Sequence, residues 1–197
     1  MPPSLRVLAV EAPEPVSAAP LRTAGEIAAV QAYHAPDFRV IWLPSAEATR
    51  PRLRAALSQF EVLHFAGHAR ADADPLAGGL LLAGDEYLTV RELMAGGIGA
   101  ARFAVLSACE TARVEDLASD EMIGLPTALV QCGFGGVVGS LWAASDRLTP
   151  PLMAAFYREW RGGGLGPRQA LRAAQQWSRD QRRVPALGWA NFVYVGP

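Results

Sequence analysis

Short apolar runs of β-forming residues alternate along this chain with stretches whose apolar positions recur at helical spacing. Residues 5–10 (LRVLAV), 38–43 (FRVIWL), 60–67 (FEVLHFAG), 102–107 (RFAVLS), 135–142 and 191–195 (NFVYV) read as strands. Between them, residues 21–33 carry Ala24, Ile27, Ala28 and Val30 on one helical stripe, and 52–58 begin a helix behind Pro51, a residue suited to a first turn. Further helices are expected over 90–94, 123–132, 150–161 and 167–179, the last two separated by Gly162, Gly163 and Gly164. Residues 80–83 and 87–89 around Gly84-Asp85-Glu86 read as a small hairpin, residues 11–20 as a proline-rich loop or lid, and 112–121 as a loop. Strands alternating with helices predict a doubly wound, mostly parallel α/β sheet.

Composition narrows the function classes. With 197 residues, 51% of them hydrophobic, the chain suits one compact domain, expected over 4–197, with a sizeable core. All 18 basic residues are Arg against 19 acidic ones, giving a net charge of −1. No basic block forms, so nucleic acid is not an expected partner. Two cysteines in a chain of this size make no disulfide framework, which suggests a reducing, cytoplasmic setting. The N-terminal apolar run is cut by Glu11 and Pro13, too short for a signal peptide, and no stretch reaches the length of a membrane span.

Two strands end in reactive side chains. FEVLHFAGHA leads into His68, and FAVLSACET leads into Cys109. In open α/β sheets chemistry collects beyond the carboxyl ends of the strands, so neighbouring strands that end this way would set an imidazole beside a thiol. Thiolate is the nucleophilic form of cysteine, and a nearby imidazole both holds it and protonates a leaving amine. The competing reading of Cys109 is a buried strand-end cysteine that serves packing. His64 lies four residues before His68 on the same strand face and reads as a core or supporting histidine. The HxxxH spacing binds metal on helices rather than strands, and the chain has only three histidines. His34 reads as a surface residue near a helix end, and Cys132 as a small apolar residue. The segment after the first strand, EAPEPVSAAP, lacks the glycine spacing of a dinucleotide-binding turn, so nucleotide binding is the weakest reading.

HFAGHA, LSACETA, the stretch from Gly124 to Asp146 ending VVGSLWAASD, AFYREW and ALRAAQ together resemble the CHAT domain, a caspase-like and separase-like peptidase family, from Leu5 to Val195. The resemblance implies a caspase-like three-layer α/β sandwich whose mostly parallel sheet is flanked by helices. It also implies a His–Cys dyad of His68 and Cys109, with the backbone amides of Ala69 and Cys109 as oxyanion hole. Relatives commonly read His-Gly where this chain has His68-Ala69, and the alanine restricts the backbone there. By the same similarity Asp146 would line the primary specificity pocket and select a basic residue before the cut; the other reading is a turn or cap residue ahead of a helix. Glu110 either helps shape the substrate site or faces solvent. The implied partners are a protein or peptide substrate and a regulatory repeat domain or partner protein, without metal or organic cofactor. A caspase-like interaction module that keeps the dyad residues without a formed site is the alternative class.

Overall fold

Parallel strands with both faces covered need near-continuous apolar sequence, and the central strands supply it. The computed structural model describes residues 4–11, 21–70, 72, 74, 76–96, 102–109, 124–142, 144–181 and 185–197, Cys109 by its backbone. β1 (Leu5–Glu11), β2 (Phe38–Leu43), β3 (Val62–Arg70), β6 (Phe103–Cys109), β7 (Val137–Ser140) and β8 (Phe192–Val195) form one sheet in the order β2-β1-β3-β6-β7-β8. Every neighbour pair in that order is parallel except β7 with β8. The hairpin of β4 (Gly79–Leu81) and β5 (Tyr87–Thr89) pairs antiparallel with the far end of β3, Ala69 opposite Leu80.

Strand alternation sends successive side chains to opposite faces, and each face meets its own helices. One core joins Leu63, Phe65 and Leu106 to α2 (Arg50–Leu57), α3 (Val90–Gly96) and α4 (Gly124–Gln131). The other joins Val62, Ala66 and Val105 to α1 (Ala24–Gln31), α5 (Thr149–Tyr157) and α6 (Pro167–Asp180). Layers of helix, sheet and helix result. The second core is rich in aromatics, with Phe156 5.1 Å from Tyr157 and Phe103 5.1 Å from Trp160, ring centre to ring centre. On the first, α4 lies close to β7 because position 139 is glycine; a Cβ there would stand 2.6 Å from Pro126 Cγ. A four-residue helix, α7 (Ala186–Trp189), precedes β8.

The expected elements are present with shifted ends. β3 was expected to stop at Gly67 and runs to Arg70, because the β4–β5 hairpin supplies a pairing partner beyond the glycine. β6 extends two residues past Ser107 to Cys109 in register with β3. β7 is shorter than the expected 135–142, and α5 passes into a π-helical turn, Arg158–Gly162, before the glycine break. Most of the proline-rich 11–20 segment and the whole 112–121 loop lie outside the described residues.

Candidate active site

The register of β3 against β6 decides what the two signature segments can do together. Val62 pairs with Phe103, Ala66 with Ser107, and His68 with Cys109, so the histidine and the cysteine occupy directly facing positions on adjacent parallel strands. Neighbouring strands run about 5 Å apart, within which an imidazole and a thiol can meet. His68 is only 9% exposed. Ala69, the next residue, is 4% exposed and already within the segment that faces the hairpin. Glu110 lies outside the described residues.

Asp146 stands in the turn between β7 and α5, where Leu148 N–H donates to the Ser145 carbonyl at 3.0 Å. One of its carboxylate oxygens accepts the backbone N–H of Arg22 at 3.2 Å, tying this turn to the start of α1. Asp146 is therefore a residue of the turn ahead of α5. It also lines a cleft, together with Arg22, Thr23, Glu26, Ser107 and Thr149. Ser107 is two positions before Cys109 on β6, so the cleft opens beside the strand end that bears the cysteine.

Beneath the cleft lies a polar cluster that the sequence reading foresaw only in His64. Glu26, 3% exposed, accepts the Ser107 hydroxyl on Oε2 at 2.9 Å. Its Oε1 lies 3.1 Å from Nε2 of His64, which is fully buried; this close contact is off-axis for a hydrogen bond. The opposite ring nitrogen of His64, Nδ1, is 2.9 Å from the Tyr157 hydroxyl. Burial, reinforced by the Glu26 carboxylate, pushes the Tyr157 phenol well above its ordinary range, so the hydroxyl keeps its proton. One sequence signal could have found Glu26: it lies four residues before Val30, on the inward stripe of α1, where an acid is out of place.

The model of the CHAT domain matches residues 7–197. The chain belongs to the CHAT domain family. Among curated proteins no sequence relative matches. Solved structures similar to this CHAT domain include protein GSU0716 from Geobacter sulfurreducens, at 16% identity and a TM-score of 0.55, the match covering 100% of this chain and 94% of that one. They also include the Arg-specific cysteine proteinase gingipain R, at 9% identity and a TM-score of 0.61, covering 98% of this chain and 46% of gingipain. The CHAT domain thus spans less than half of the proteinase it resembles. At these identities the likeness is one of fold, and the three-layer sandwich with its mostly parallel sheet is caspase-like. Among the described residues, no helix is long and apolar enough to cross a membrane.

Proposed function

We propose that this CHAT domain is a cysteine endopeptidase in which His68 and Cys109 form the dyad. The observation that carries this reading is the pairing of His68 with Cys109 across adjacent parallel strands of a caspase-like fold. The Cys109 thiolate attacks a peptide carbonyl carbon, forming the C–S bond while the carbonyl electron pair moves to oxygen. The amides of Ala69 and Cys109 hold that oxyanion, an arrangement that commonly contributes several kcal/mol to the transition state. Collapse breaks the C–N bond and His68 gives its proton to the departing amine. Water, deprotonated by His68, then hydrolyses the thioester and returns the thiol.

Asp146 is the specificity residue of this proposal. Its carboxylate on the cleft beside β6 suits a guanidinium or ammonium group of the residue before the cut, through a charge-assisted pair. Gingipain R, described as Arg-specific, offers a precedent on a similar fold. A regulatory repeat domain or partner protein completes the proposal, acting on the site from outside this chain. The test is labelling by peptidyl electrophiles with Arg or Asp at the position before the cut, read by intact mass. Wild type is expected to label with the Arg probe, and Cys109→Ala and His68→Ala are expected not to. Labelling that persists without His68 would overturn the dyad. Equal labelling by both probes, unchanged in Asp146→Ala, would remove the pocket assignment.

A silent interaction module is the second reading, and Ala69 favours it. The residue is buried and paired opposite Leu80, and its Cβ narrows the backbone conformations open to the amide that the dyad reading assigns to the oxyanion. Absence of labelling in the presence of candidate partner domains, with the fold intact, is its expected outcome.

A further inference from the structure

A carboxylate buried to 3% exposure, with no arginine paired to it among the described residues, is costly, and apolar residues of like size are generally the more stable choice in a core. Glu26 occupies such a position on α1, and its contacts are distributed in a particular way. One oxygen takes the Ser107 hydroxyl of β6 at 2.9 Å; the other lies 3.1 Å from His64 Nε2 of β3. These are the two strands that carry Cys109 and His68, and the contacts fall two and four residues before them. His64 is held from its other side by Tyr157 of α5 at 2.9 Å. A single side chain therefore bridges two strands whose mutual displacement would separate the dyad.

We infer that Glu26 is a positioning residue, a clamp that holds the ends of β3 and β6 so that His68 and Cys109 keep their facing register. The inference rests on the peptidase reading above. Glu26 touches no reacting atom in this scheme and acts through Ser107 and His64. The groups facing it are His64 from β3 and Ser107 from β6, with Tyr157 from α5 behind His64. Asp146 and Arg22 stand on the same cleft. Positioning of this kind matters because displacing a reacting group by about 1 Å can cost on the order of a hundredfold in rate.

The experiment measures the rate of Cys109 alkylation by iodoacetamide from pH 5 to pH 10 on the full chain, in a Cys132→Ser background so that one thiol reports. Wild type is expected to react below the ordinary cysteine range of about 8.5, in a limb that His68→Ala abolishes. Glu26→Met removes the bridge and Ser107→Ala removes its β6 half. Each is expected to slow the reaction at pH 7 by about tenfold and to return the profile toward that of an ordinary thiol. Glu26→Gln keeps the size and two polar atoms of the bridge, an oxygen and an amide nitrogen, and is expected to stay within about threefold of wild type. A purely structural role would lower stability and leave the pH profile in place. Should Glu26→Met fail to fold, Ser107→Ala, which loses one hydroxyl, decides the matter. A His68-dependent profile that these variants leave unchanged overturns the clamp alone, as does Glu26→Gln behaving like Glu26→Met. A wild-type profile indifferent to His68→Ala removes the dyad and the clamp with it.

Discussion

Cys132 sits half-buried in the turn after α4, its Sγ 4.0 Å from the Val90 carbonyl, and burial pushes its thiol above the usual range. Less thiolate is then present at a given pH, so in Cys109→Ala protein the Cys132 thiol should alkylate several-fold more slowly at pH 8 than in urea-unfolded chain. Mass mapping of the alkylated peptide checks this. Tyr157 is the second residue with a clear expectation. Replacing it by Phe leaves His64 Nδ1 without its partner, at a cost of about 1–2 kcal/mol in the stability read from a denaturant midpoint. Of the residues that carry proposed chemistry, His68 and Cys109 were legible because each follows an apolar run, and Asp146 only through the family resemblance. Glu26 was marked only by its place on the inward stripe of α1, and its partners on β3 and β6 were not legible, because they are brought to it by tertiary packing.

At the scale of elements, α5 contributes Phe156 and Tyr157 to the aromatic core. Phe156 contacts the rings of Phe103, Tyr157 and Trp160 and is fully buried. Phe156→Ala is expected to cost about 3–5 kcal/mol, measured by chemical denaturation. Across the sheet, Gly139→Ala would push α4 away from β7 through Pro126 and lose about 1–3 kcal/mol by the same measurement. Elements themselves were readable from periodicity, whereas their ends were not. Glycine at position 67 looks like a strand terminator, yet β3 continues for three residues because a hairpin more than ten residues further along the chain pairs with it. Such non-local pairing leaves no mark in the local pattern.

Over the whole molecule, the end of the sheet opposite the candidate site is held by charge and backbone together. Glu61, just before β3, accepts Arg6 N–H at 2.7 Å and its guanidinium at 2.7 Å, while the Glu61 carbonyl receives Arg102 N–H at 2.7 Å. The starts of β1, β3 and β6 meet at this one residue. The side-chain hydrogen bond to Arg6 is the largest cause holding the Glu61 carboxyl below its usual range, against the opposing effect of burial. A carboxyl whose folded value is depressed adds stability above its unfolded value, and that share is lost as pH falls through the folded one. Glu61→Gln should therefore be less stable than wild type at neutral pH, the difference closing below pH 4. Paired denaturation curves across that range test it, and the half-exposed Arg6 keeps the effect small. The order of the strands was not legible from sequence, because alternation of strand and helix is compatible with several strand orders. That order has a consequence for synthesis. β1 leaves the ribosome before the other strands of this sheet yet lies between β2 and β3, and β3 in turn waits for β6. A nascent chain released only as far as the hairpin therefore carries the His68 strand with one flank unpaired, and His68 meets the position that faces it only when residue 109 has emerged.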